Sequence, residues 1–146
     1  MKKNDVFSSA GYLIRRLQQE IRHQMDDILG EEGITPPQFA TLVTLKANDN
    51  VSNAELARIS FVTPQTMVRI IRNLEDAGLI KRSEDPQHGR ILRIEITEKG
   101  ENLIQHCQKK VQVVEQKTLC HFTDDETEVF KQLLQKSLQN YSGKND

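Results

Sequence analysis

Two helix starts lie eleven residues apart in the run from Ser52 to Thr97, and a strand, a turn-rich loop and a strictly alternating strand follow them. The first start is Ser52 with Glu55 three residues on, a capping box in which hydroxyl and carboxylate satisfy orphan amide donors. The second is Thr63 before Pro64, a hydroxyl cap followed by a residue that has no donor to satisfy. A helix from Pro64 runs to Ala77 and stops at Gly78, the residue type most at ease with a positive φ after a helix end. At about 100° per residue, Met67, Ile70, Ile71 and Leu74 share one face, which is expected to pack on Leu56 and Ala57 of the preceding helix. Gln65, Arg69 and Arg72 fall on the opposite face.

Beyond Gly78, Leu79 to Arg82 predicts a short strand, and Leu92-Arg93-Ile94-Glu95-Ile96 alternates with period two, one face buried and one wet. Between them, Ser83 to Arg90 holds the turn-forming pairs Asp85-Pro86 and His88-Gly89, which predicts a loop with Arg90 on its projecting tip. The whole is a winged helix-turn-helix. Such a unit offers its second helix to the DNA major groove and its hairpin to the backbone or minor groove. An amide and two guanidiniums suit base edges and phosphates. A merely solvated amphipathic helix would carry the same residues; the capped helix pair and the wing together favour nucleic acid. Arg90 is placed for a phosphate or a narrow minor groove, the alternative being an ion pair with Asp85 inside the loop.

The net charge of −1 is unusual for a DNA binder, whose footprint is normally basic. Charge is unevenly distributed, however. From Arg58 to Arg93 there are seven Lys and Arg against four acids, while the remainder has thirteen against seventeen. Positive potential therefore concentrates where DNA would lie.

The run ITPPQFATLVTL, then AELARISFVTPQTMVRIIRNLEDAGLIKR, then DPQHGRILRIEITEKGENLI, resembles the MarR family of multiple-antibiotic-resistance regulators over about residues 8 to 142. The resemblance implies a homodimeric winged-helix regulator, usually a repressor, released from its palindromic operator by small, commonly phenolic or anionic, ligands. It implies that Gln65, Thr66, Arg69 and Arg72 belong to the recognition helix and that Arg90 is the wing arginine. Two positions depart from the family pattern. His88 and Gly89 stand where the wing often has Asp and Arg, and Phe61 stands where Gly is common, which predicts a differently packed turn.

The flanks look built for association. From about Ser8 to Leu29, Ala10, Leu13, Leu17, Ile21, Met25 and Ile28 recur at three- and four-residue steps, before Gly30 and Gly33 end the helix. Thr35 caps a second helix whose buried face is Phe39, Leu42, Val43 and Leu45. Thr97 starts a long helix with the stripe Leu103, Ile104, Cys107, Val111 and Val114. Thr123 to Glu126 forms another capping box ahead of Val129, Phe130, Leu133, Leu134, Leu138 and Tyr141. These helices either fold back on their own unit or make a two-fold dimer, the state that a reader of palindromic DNA needs. The expected fold is mainly α with a small β wing: residues 1–34 and 98–146 for dimerisation, and 35–97 as the DNA-binding unit. A ligand crevice is expected between the winged unit and the dimer helices. Tyr12, Arg16 and Phe39 are candidate lining residues, with an ordinary interface role as the alternative.

Other classes find little support. The chain has no glycine-rich phosphate loop, nucleophile elbow or His-Glu-x-x-His helix, so no enzyme is expected. Cys107 and Cys120, about 20 Å apart along one expected helix, are too far apart for a disulfide and are expected to be buried, reduced thiols. The pairs His106-Cys107 and Cys120-His121 match no short zinc motif, so neither metal nor cofactor is expected. No apolar run reaches transmembrane length, and the polar N-terminus lacks a signal-peptide core, so a cytoplasmic protein without a membrane partner is expected. The second reading is a winged-helix protein-interaction module that does not itself read DNA. It would favour apolar or acidic residues where this chain has Gln65, Arg69 and Arg72.

Overall fold

Each helix begins on the hydroxyl that the sequence offers for it. In a computed structural model describing residues 5–48, 50–85 and 88–141 (backbone alone at 84, 85 and 88–92), Ser9 caps α1 (Ala10–Gly30) and Thr35 caps α2 (Pro36–Ala47). Ser52 caps α3 (Asn53–Ile59), Thr63 caps α4 (Pro64–Asp76) and Thr97 caps α5 (Glu98–Thr118). Thr123 caps α6 (Asp124–Leu138), which ends in a 3-10 turn over Gln139–Tyr141. Thr35 with Gln38, and Thr123 with Glu126, close reciprocal boxes. The box expected at Ser52 is half made. Its hydroxyl accepts from the Glu55 N–H at 3.1 Å, but the Glu55 carboxylate turns toward Arg58, 3.9 Å away on the same helix face.

The wing is more strand and less loop than the turn-forming pairs suggest. β1 (Ile80–Asp85) and β2 (His88–Ile96) pair antiparallel from Ile80 opposite Ile96 to Glu84 opposite Leu92, and Asp85 then faces His88. The single step from Glu84 to Asp85 thus spans four steps on β2, leaving Gly89, Arg90 and Ile91 in a bulge. A bulge absorbs extra residues while pairing continues on both sides, so these residues bend the ladder rather than forming a long loop. Arg90 therefore lies within β2 and not on a loop tip. Pro86 of the expected turn and the Arg90 side chain lie outside the described residues.

A single core joins the winged unit to its flanking helices. Leu29 of α1, Leu42 of α2, Leu56 of α3, Met67 and Leu74 of α4, Ile80 of β1, and Ile104 and Cys107 of α5 are buried together. The α5 stripe is thus covered within the chain, against α1 and α2. Burial pushes the Cys107 thiol up, away from the reactive thiolate. Cys120 departs from expectation, because α5 stops at Thr118 and leaves this residue exposed in the following turn.

The two ends of the chain look quite different. Leu13, Ile14 and Leu17 in the first half of α1 are exposed, and α6 has no buried residue although it carries Val129, Leu133, Leu134 and Leu138. The α6 stripe and the first half of the α1 stripe are uncovered by the single chain, whereas Met25 and Ile28 further along α1 pack against the core.

The turn between α3 and α4 holds an unusual residue. Phe61 takes φ +57° and is 96% exposed, so the backbone has the left-handed form that glycine adopts freely, with an aromatic ring on it. That conformation costs a residue with a Cβ about 1–2 kcal/mol. Phe61→Gly is expected to raise stability by about 0.5–1 kcal/mol, since glycine's greater unfolded-state freedom offsets part of the relief. Thermal melts should rise by about 2–3 °C. A lower melting temperature would mean that the ring supports the fold.

Candidate nucleic-acid interface

Helix α4 is fixed along its length and at both ends. Met67, Ile70, Ile71 and Leu74 are all under 8% exposed. Beneath it, the buried Thr41 hydroxyl donates to the Pro37 carbonyl at 2.8 Å and meets Ser60 Oγ at 3.2 Å, tying α2 to the end of α3. At the start of α4, Asn53 Nδ2 donates to the Pro64 carbonyl at 3.2 Å. At its far end, Arg82 Nε lies 2.7 Å from Glu75 Oε2. The next carbonyls are held from α5: Lys99 Nζ donates to Ala77 at 2.8 Å, Thr97 Oγ1 to Gly78 at 2.6 Å and the Thr97 N–H to Leu79 at 3.1 Å. A helix held this way presents its outward face as a rigid surface.

That face carries Gln65, Arg69 and Arg72, all exposed. Among the described residues neither arginine has an ion-pair partner, whereas Arg58, Lys81 and Arg82 are paired with Glu55, Glu95 and Glu75. The first turn of α4 has no acidic residue, so the positive end of the helix dipole is not neutralised there. Thr66 lies to one side, half-buried, its hydroxyl accepting from Thr63 Oγ1 at 2.9 Å. Val68 shares the outward face, 49% exposed. Sequence reasoning misses it because apolar residues are taken for the core, although its helical angle places it beside Gln65 and Arg72. Nothing is described of the Arg90 side chain.

The three candidate ligand residues are not brought together in a described cavity. Tyr12 is half-buried, with its ring edge-on to Phe7 at 5.2 Å, and Arg16 is exposed one turn further on. Phe39 is a core residue, 8% exposed. Cavities of about 250 Å³ beside Leu45, Lys46 and Ile94, and of about 410 Å³ beside Gly33, Leu79 and Leu103, are lined by other residues. Near the larger one, Lys110 Nζ reaches Glu32 at 2.6 Å and Glu31 at 3.0 Å, and His106 Nε2 lies 3.0 Å from Glu32. Hydrogen bonds from Lys110 and then His106 hold the Glu32 carboxyl below its usual range, so this tie between α5 and the end of α1 weakens as acid protonates Glu32. Among the described residues, no three His, Cys, Asp or Glu side chains converge to hold a metal, and no helix is long and apolar enough to cross a membrane.

Residues 34–92, from the buried Ile34 through most of the wing, match the model of the MarR family. The HTH-type transcriptional repressor Rv2887 of Mycobacterium tuberculosis is 34% identical over 126 residues, covering 86% of this chain and 91% of that one. The chain belongs to the MarR family. Its MarR fold matches the crystal structure of the M. tuberculosis MarR family protein Rv2887 in complex with salicylic acid, at a TM-score of 0.75 and 34% identity, over 88% of this chain and 95% of that chain. It also matches the same relative's complex with DNA, at a TM-score of 0.72 and 32% identity, over 88% and 96% of the two chains. The MarR-family member described above thus has the winged helix-turn-helix and flanking helices expected from its sequence, with a mainly α fold and a two-stranded wing.

Proposed function

We propose that this chain is a sequence-specific DNA-binding transcriptional regulator, a ligand-responsive repressor that binds a palindromic operator as a homodimer. The observation that carries the reading is the outward face of α4, where Gln65, Arg69 and Arg72 stand exposed on a helix held at both ends. A protein-docking face would be apolar or acidic there. The relative Rv2887 supports the reading, as a repressor seen with DNA in one crystal structure and with salicylic acid in another. Residues 35–97 serve as the reading head, with Thr66 at the flank of the recognition helix and Arg90 on the wing. The segments 1–34 and 98–146 form the dimer, and α5 also contributes to the head's core. This is a binding protein of the cytoplasm, not an enzyme. Its effector is a small phenolic or anionic molecule held between head and dimer helices, with Tyr12, Arg16 and Phe39 as the residues to test. To release DNA, that effector must prefer the head spacing that does not fit the operator, because equal affinity for both spacings shifts nothing.

Salt-titrated binding to a selected operator duplex and to a random duplex tests the reading. Gln65→Ala or Arg69→Ala should weaken operator binding by about 1–3 kcal/mol for each bidentate base interaction removed, and affect random DNA less. Arg90→Ala should weaken both by similar factors and make the salt dependence shallower by about one unit for each phosphate it no longer neutralises. If none of the three changes affects DNA affinity, the chain does not read DNA through this face.

A further inference from the structure

Val68 contributes little to its own protein. It is 49% exposed on α4, while Met67, Ile70, Ile71 and Leu74 fill the core beneath. A β-branched residue at a solvent-facing helical position loses rotamer freedom and gains little burial, so the fold alone gives no reason for it. Its place on the helix is informative. At about 100° per residue it stands some 60° from Gln65 and 40° from Arg72, at the edge of the polar stripe rather than behind it.

We infer that Val68 is a specificity-determining residue that packs on the C5-methyl group of a thymine in the major groove, so that each operator half-site carries a thymine beside the bases met by Gln65 and Arg72. The inference rests on the duplex-reading role proposed above. In the major groove, thymine alone among the four bases presents a methyl group, and an apolar side chain reads it by contact. The neighbouring amide and guanidiniums bind base edges or phosphates, which brings the groove floor to the helix and removes water from around the valine. The same cationic surroundings favour nucleic acid over an apolar protein partner at this spot. Burying one methyl group corresponds to about fourfold in affinity for each half-site, hence on the order of tenfold for a two-fold dimer.

The test uses duplexes selected by the full-length protein from a random-sequence pool, resynthesised with deoxyuridine in place of thymine at one position of each half-site at a time. Deoxyuridine pairs as thymine does and lacks only the methyl group. At one thymine per half-site the replacement should weaken binding about tenfold for the dimer, and the Val68→Ala protein should bind the thymine and uracil duplexes equally. Val68→Thr, which keeps a methyl group and the β-branch, should retain most of the dependence. The inference is overturned if no replacement affects the wild-type protein, or if the same replacement affects wild type and Val68→Ala equally. In both cases the selected duplex is still bound and the duplex-reading role stands. Failure to enrich any duplex would overturn that role and this inference with it.

Discussion

Leu133→Asp together with Leu134→Asp is expected to yield a folded monomer that no longer holds its operator. Both leucines are exposed on α6, a helix with no buried residue in the single chain. In a two-fold dimer each change occurs twice. At about 1.5–3 kcal/mol for each leucine side chain removed from water, four such changes come to about 6 kcal/mol or more, which moves a nanomolar dissociation constant into the tens of micromolar. The chain itself should stay folded, because its buried cluster runs from Leu29 to Cys107 and includes nothing from α6. Sedimentation should therefore report a monomer whose circular dichroism matches wild type. Operator affinity should fall by orders of magnitude, because one head then binds without the second held nearby. A dimer that persists at micromolar concentration would remove α6 from the interface.

The same arrangement changes what a truncation should do. Sequence periodicity alone suggests that removing residues 123–146 would lay bare the stripe from Leu103 to Val114. In the structure α1 and α2 already cover that stripe, with Ile104 and Cys107 at 1% and 0% exposure. Periodicity identifies an apolar face, but it does not say which neighbour covers it. Caps are local, which is why Ser52 and Thr123 could be recognised from a hydroxyl and the acid three positions on, and Thr63 from the proline that follows it. Gln65, Arg69 and Arg72 were legible for a similar reason, since a helical angle needs only spacing. The wing was less so. Turn-forming pairs signal a change of direction, but the bulge opposite Glu84 and Asp85 depends on the pairing register of two strands, which no local pattern encodes. Phe61 was legible only as a departure from a family pattern; its positive φ belongs to the turn between α3 and α4, and no local spacing encodes it.

Gly100 marks a second place where long-range packing decides the residue. It lies in the first turn of α5, and a Cβ there would run into the Leu79 carbonyl oxygen and into Ile96 Cγ2, 2.7 Å away. The carbonyl belongs to the main chain just after α4, so it cannot swing aside as a side chain would. Gly100→Ala must therefore lift the start of α5 away from Leu79. That movement stretches the Thr97 bonds to the Leu79 and Gly78 carbonyls and the Lys99 bond to Ala77. Overpacking of this kind costs about 1–3 kcal/mol, and losing two or three hydrogen bonds costs about 1 kcal/mol more for each. Alanine's better helix propensity returns only about 1 kcal/mol. The net expectation is a destabilisation of about 3 kcal/mol, seen as a lower denaturant midpoint with an unchanged slope. Lys99→Met serves as the milder comparison, removing one exposed hydrogen bond without a clash, and should cost under about 1 kcal/mol. The functional consequence follows from what the joint connects. The three bonds fasten the end of the recognition helix to α5, so Gly100→Ala should also weaken operator binding under conditions where the variant is fully folded, although Gly100 lies off the DNA-facing surface. A variant as stable as wild type would show that α5 has room to shift at this joint. A destabilised variant with unchanged operator affinity would show that the joint supports the fold without setting the position of the recognition helix.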